Sequence, residues 1–114
     1  RGVSVRDVVL ENVSVKGPGL LLEDCDETLV DEFSVRGQTN RLASGVCFRI
    51  TTPQTFSGLR ISNVSAREVE EAGILLETVG KEKGTLTDYL ISGNLARVTD
   101  RIQGARGTMT NNLP

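Results

Sequence analysis

The densest chemistry in this chain is acidic. Glu23-Asp24-Cys25-Asp26-Glu27 is followed closely by Asp31 and Glu32. Two neighbouring carboxylates can divide the acid and base roles of glycoside hydrolysis, or offer oxygen ligands to Ca²⁺. Asp24, Asp26 and Asp31 are the candidates for such work. The competing reading is a solvated turn carrying repelling charges, and no aromatic residue lies nearby in sequence to stack on a sugar. The second candidate group is basic. Arg36, Arg41, Arg49 and Arg60 are spaced so that they would form a stripe receiving an anionic polysaccharide. Its rival is an ordinary charged face, with Arg49 paired to Glu23 and Glu77.

Other chemistry is sparse. The 114 residues contain no His and two Cys, which leaves no set of the usual zinc ligands and removes the commonest general base. Cys25 and Cys47 are separated by nearly, but not quite, one repeat. They read either as two small half-buried thiols or as a disulfide. Gly80-Lys81-Glu82-Lys83-Gly84 lacks the spacing of a phosphate loop and reads as a turn. No cofactor and no metal is expected, and no catalytic constellation is found. Thirteen Lys and Arg are interspersed with fifteen Asp and Glu for a net charge of −2. That balance gives no basic footprint for nucleic acid. No apolar run approaches the roughly 18–20 residues of a membrane helix.

The elements that must carry these groups are announced by a repeated phrase. Asn12-Val13-Ser14-Val15 returns as Glu32-Phe33-Ser34-Val35, Asn63-Val64-Ser65-Ala66, Asn94-Leu95-Ala96-Arg97 and Asn112-Leu113-Pro114. A second phrase interleaves with it: Gly19-Leu20-Leu21-Leu22, Gly45-Val46-Cys47-Phe48 and Gly73-Ile74-Leu75-Leu76. Its glycines recur at a nearly constant spacing. Self-similarity at this period signals a stacked repeat architecture. The apolar runs are short, alternating and bounded by Gly, Asn or Pro, so they read as strands. Only three Phe and one Tyr are present, without Trp. Thin layers of Val, Leu and Ile suit that composition better than a core of large rings.

Two strand phrases per period predict an all-β fold, a right-handed parallel β-helix of about four coils in one domain over 1–114. Four inward columns follow: Leu20, Val46 and Ile74; Leu22, Phe48 and Leu76; Val13, Phe33, Val64, Leu95 and Leu113; Leu10, Val30 and Ile61. Outside, Ser14, Ser34 and Ser65 stack, and Glu23, Arg49 and Glu77 alternate in sign. Asn12, Asn63, Asn94 and Asn112 are expected to form one corner ladder. This makes a structural role the expectation for the two Asn-Val-Ser triplets, which also fit glycosylation acceptors. Extra length in the longer coils is expected to bulge as loops at 36–44, 51–57, 66–72 and 78–85.

One outer column, Val9, Leu29 and Arg60 with Ile91 and Met109 continuing it, is largely aliphatic and would need cover from a loop or a neighbouring subunit. The chain opens with neither an initiator Met nor an apolar signal segment, so a processed product or a piece of a longer β-helix is expected.

These phrases resemble the right-handed parallel β-helix, pectin-lyase-like superfamily. It includes pectate lyases, polygalacturonases, polysaccharide epimerases and phage tailspikes. The stretch 45–51 followed by 58–64 is similar to the Arg-Ile-Lys strand and following coil of polygalacturonases, where the Arg and Lys hold an acidic sugar. Arg49 matches the Arg, but Thr51 stands in place of the Lys, and the family's Asn-Thr-Asp, Asp-Asp and Gly-His-Gly motifs are absent. The resemblance implies a carbohydrate-facing segment of a larger polysaccharide-binding or polysaccharide-processing protein, extracellular or on a virion surface. The alternative it implies is an oligomerising fibre module, a homotrimer of the tailspike kind.

Overall fold

A computed structural model describes residues 2–13, 15–38 and 42–114. Eleven strands and no helix occur among them: β1 (Ser4–Val13), β2 (Pro18–Glu23), β3 (Leu29–Gly37), β4 (Leu42–Ile50), β5 (Thr55–Ser57), β6 (Arg60–Arg67), β7 (Val69–Thr78), β8 (Thr85–Thr87), β9 (Tyr89–Ser92), β10 (Val98–Asp100) and β11 (Gly107–Thr110). They form three sheets, ordered β1-β3-β6-β9-β11, β10-β7-β4-β2 and β5-β8, in which every neighbour is parallel. The chain visits the sheets in turn and returns one strand spacing, about 4.8 Å, further along an axis. The result is a parallel β-solenoid of about three turns.

Side chains alternate in and out along each strand, and the inward ones meet their counterparts from the turns above and below. Leu20, Val46 and Ile74 are in register, as are Leu22, Phe48 and Leu76. Val30 lies under Ile61 and Ile61 under Ile91 in the first sheet, and Phe33 under Val64. Val46, Phe48, Ile74, Leu76 and Ile91 are wholly buried. Each such side chain contributes about 1.5–3 kcal/mol by leaving water.

Two expected columns break at their ends. In the first turn Val5 lies beside Val30, Val8 beside Phe33 and Leu10 beside Val35, while Val13 lies beside Gly37. Val8 therefore occupies the place beside Phe33 that the Asn-Val-Ser phrase implied for Val13. In the last turn Leu95 bridges Ser65 rather than Val64, and Leu113 bridges Arg97. A slip by an odd number of positions exchanges the two faces of a strand. Leu95 and Leu113 accordingly point outward, 61% and 48% exposed.

The register is set at corners. Asp7, Glu32, Asn63, Gly93 and Asn111 occupy one level of successive turns, and all five have φ between 52° and 71°. Gly2, Glu27, Gly58 and Asp88 share one level at a second corner with φ between 49° and 81°, each just before its strand pairs with the next. A left-handed residue turns the chain sharply. Stacked turns must make that bend at one level or lose their axial hydrogen bonds. The expected asparagine ladder splits under this rule. Asn12 and Asn63 are left-handed, with φ of 56° and 53°. Asn94 instead turns inward, 3% exposed, where its Oδ1 accepts from the Val64 N–H at 2.8 Å. Its Nδ2 donates to the Ile61 carbonyl at 3.3 Å and to Asn112 Oδ1 at 2.8 Å.

The predicted loop at 66–72 is also strand. β6 runs to Arg67 and β7 starts at Val69, with only the left-handed Glu68 (φ 57°) between them. Residues 51–57 include the short strand β5, whereas 79–84 is a true loop between β7 and β8. Within 36–44, β3 ends at Gly37 and β4 begins at Leu42.

The second sheet approaches the first most closely at Gly19, Gly45 and Gly73. A methyl group on Gly45 would lie 2.7 Å from the Ala66 Cβ and from the Gly73 carbonyl oxygen. On Gly73 it would lie 2.6 Å from the Ala96 Cβ. Gly45→Ala should therefore lower the unfolding free energy by about 1–3 kcal/mol, the usual cost of overpacking. Thermal unfolding of that variant checks this, and an unchanged Tm would contradict the close approach.

Candidate functional site

The three candidate acids are occupied in joining turns. Asp24 accepts the Thr51 N–H at 2.8 Å and also the Thr51 hydroxyl. Asp26 accepts the Ser57 N–H at 2.9 Å. Asp31 accepts from Ser62 Oγ and from Asn63 Nδ2, each at 2.9 Å. Each bond reaches one turn ahead; Asp24 and Asp26 cap corner N–H groups that a solenoid would otherwise leave unpaired, and Asp31 ties down two side chains of the next turn. Among the described residues no group of three or more His, Cys, Asp or Glu is placed to hold a metal ion. The Asn63 amide and then the Ser62 hydroxyl hold the Asp31 carboxyl below its ordinary 3.8. Its stabilising effect is present above that value and is lost as pH falls through the lowered one.

Glu32 behaves in the opposite sense. It sits directly over Asp7, and a hydrogen bond shared with the Asp7 carboxyl, then that carboxyl's charge, raises it above the ordinary 4.5.

The arginines are dispersed. Arg49 lies on the second sheet, where Nε donates to Glu77 Oε2 at 2.7 Å and Nη1 stands 3.7 Å from Glu23. The alternating outer row Glu23, Arg49 and Glu77 is thus in register as expected. Beside it the buried Cys47 thiol is pushed up to about 12, first by burial and then by the Glu77 charge. Cys25 and Cys47 are both free thiols. Arg60 donates from Nη1 to the Asp88 carbonyl at 2.6 Å and lies 3.4 Å from its carboxylate. Arg41 lies outside the described residues, as does Ser14.

Arg36 is exposed near the end of β3 and stands directly opposite Arg67 of β6. Arg67 and Arg60 sit at opposite ends of that strand, on either side of the bend at Asn63. Arg36, Arg49 and Arg60 consequently do not make one stripe. The pair that does form is Arg36 with Arg67. Sequence reasoning missed Arg67, although the offset that puts Ser34 over Ser65 also puts Arg36 over Arg67.

The expected aliphatic outer column is not assembled either. Val9 lies beside Ser34, Leu29 beside Arg60, and Arg60 beside Leu90. Ile91 is wholly buried in the core, and Met109 is half-buried against it. The same shift of register in the first turn explains the displacement of Val9.

Concavities mark the outer surface of the described residues. A groove of about 290 Å³ crosses β1, β3 and β6 and is lined by Val9, Glu11, Ser34, Arg36, Ser65 and Arg67. A notch of about 260 Å³ lies between Glu70, Ala72, Arg97 and Leu113. It arises because the last turn cuts its corner. Leu95 aligns with Ser65 and Val98 with Ile74, so the whole stretch from Ala66 to Gly73 is answered by Ala96 and Arg97 alone. Arg97 Nε there donates to the Pro114 carbonyl at 2.8 Å.

The stacked Asp7 and Glu32 carboxyls make a pH-dependent prediction. A raised acid stabilises the fold below its unfolded value, and that contribution is lost as pH rises through the folded value. Glu32→Gln, which cannot ionise, should therefore raise Tm at about pH 7, with the gain fading toward about pH 4. An equal change at both pH values, measured by thermal unfolding, would contradict the stacking. Comparison of the chain with protein-family models, with curated proteins and with solved structures finds no match.

Proposed function

We propose that this chain is a carbohydrate-facing segment of a right-handed β-helix, within a larger polysaccharide-binding or polysaccharide-processing protein of the pectin-lyase-like kind. It would work outside the cell or on a virion surface, and it would recognise sugar without a complete catalytic set of its own.

The observation that carries this reading is the outer face of the first sheet. Ser34 and Ser65 stand side by side, and so do Ser62, Ser92 and Thr110. Asp31 adjoins Ser62, and the Arg36–Arg67 pair lies beyond the first of these ranks. Parallel strands repeat these donors and acceptors about every 4.8 Å along a straight line. An extended chain of hydroxylated units can meet such ranks with several weak hydrogen bonds at once. Asp24 and Asp26 give their carboxylates to corner N–H groups, which fits recognition better than acid–base chemistry.

A second reading is favoured by the first turn. Val5, Val8 and Leu10 pack against the core from only half-buried positions, and β1 and β2 are the outermost strands of their sheets. Edges of this kind pair with further strands. A structural module of the tailspike or fibre type, trimerising or stacking on itself, would use them.

Affinity electrophoresis through neutral and acidic polysaccharides, with light scattering on the same sample, separates the readings. The carbohydrate reading expects retardation by at least one polysaccharide. Migration indifferent to every polysaccharide, joined to a concentration-independent trimer, would put the structural module first.

A further inference from the structure

We infer that the groove across β1, β3 and β6 is an oxyanion subsite, in which Arg36 and Arg67 together hold one carboxylate or sulfate group of an acidic saccharide. The inference rests on the carbohydrate reading above and names the class of sugar.

Arg36 and Arg67 are direct neighbours on adjacent parallel strands. Their Cα atoms are therefore about 4.8 Å apart along the axis. Like charges placed opposite one another destabilise a sheet. Arg49 is answered from within the fold by Glu77, Arg60 by Asp88, Arg97 by the Pro114 carbonyl and Arg101 by Glu71, while the exposed Arg6 and Arg106 make no such bond among the described residues but do not line the groove. Among the described residues neither the Arg36 nor the Arg67 side chain makes a hydrogen bond or an ion pair. Both side chains are exposed and line one groove.

Two acids border the site, Glu11 within the groove and Glu68 in the adjoining hollow beside Arg36 and Gln38. Neither comes within ion-pairing distance of either guanidinium. They limit the site to a group that presents its charge between the two arginines. Guanidinium forks match the planar oxygens of a carboxylate or the tetrahedral oxygens of a sulfate, and such charge-assisted bonds are about twice as strong as neutral ones. Further back along the same strands, the Ser34 and Ser65 hydroxyls line the same groove and are placed for the hydroxyls of the same sugar. An acidic saccharide uses both halves of the site, whereas a bare inorganic anion uses only the arginines.

The test uses the full chain with polygalacturonate, dextran sulfate, unmodified dextran and sodium sulfate as probes. Arg36→Gln, Arg67→Gln and, as a control on general charge, Lys81→Gln are compared after circular dichroism confirms the fold of each. At least one acidic polymer should bind, more weakly as salt rises. Each arginine variant should raise its Kd roughly tenfold, the loss of about one charge-assisted bond, while Lys81→Gln leaves it unchanged. Sensitivity to Arg36 and Arg67 with the uronate alone, or with the sulfate ester alone, supports the subsite and identifies its anion. Equal affinity of wild type and arginine variants for an acidic polymer overturns the subsite and leaves the carbohydrate reading standing, as does binding to unmodified dextran alone. Equal weakening by Lys81→Gln also overturns it. Arginine-dependent binding of sodium sulfate with no polymer bound, or no binding to any probe, overturns both.

Discussion

Parallel strands in this chain hydrogen-bond along the solenoid axis, so the level at which one turn bends dictates where every side chain of the next turn stands. The bend itself is a left-handed residue, and the two ladders Asp7–Glu32–Asn63–Gly93–Asn111 and Gly2–Glu27–Gly58–Asp88 keep it at one level from turn to turn. Most of these are not glycine. A residue with a Cβ in this conformation costs on the order of 1 kcal/mol, so the surrounding structure must over-determine it. Axial pairing with the neighbouring turns does so, together with a core in which Phe33, Phe48, Ile61 and Ile74 fill successive layers.

Corners created in this way leave backbone groups facing the next turn, and the polar side chains answer them. Asp24, Asp26 and Asn94 each accept a backbone N–H from another turn. Asn94 is the most consequential, because it is buried and satisfies Val64, Ile61 and Asn112 together. An unpaired donor there would carry a desolvation cost of about 1–3 kcal/mol. What looks like a catalytic acid cluster is therefore largely part of the scaffold. The side chains left over, above all Arg36 and Arg67, line the groove on the outer face that the scaffold presents.

Much of this was legible in the residues. The Gly-aliphatic phrase located the second sheet and its register, because glycine is required where Gly45 meets Ala66 and aliphatic residues are required just after it. The alternation of Glu23, Arg49 and Glu77 could be read from the same alignment. The first turn was misread because Asn12-Val13-Ser14 copies the wording of Asn63-Val64-Ser65 without its position. The true counterpart of Asn63 is Asp7, an acid whose left-handed backbone no propensity announces. In the last turn a slip of one position turned Leu95 and Leu113 outward and Asn94 inward. The arginine pair was hidden for a related reason. Both arginines lie just past the repeated phrase, which closes at Val35 and Ala66, while the solenoid sets Arg36 beside Arg67, a full turn further along the chain.

The central claim is the register, since it places Arg36 beside Arg67 and Asp7 beside Glu32. Backbone proton Overhauser contacts between adjacent strands test it most directly. The account predicts contacts of Val8 with Phe33 between β1 and β3, and of Ser34 with Ser65 between β3 and β6. Contacts of Val13 with Phe33 instead would show that the repeated phrase sets the alignment of the first turn, and would contradict the corner ladders and the stacking of Asp7 with Glu32; absence of the Ser34–Ser65 contacts would contradict the arginine pair.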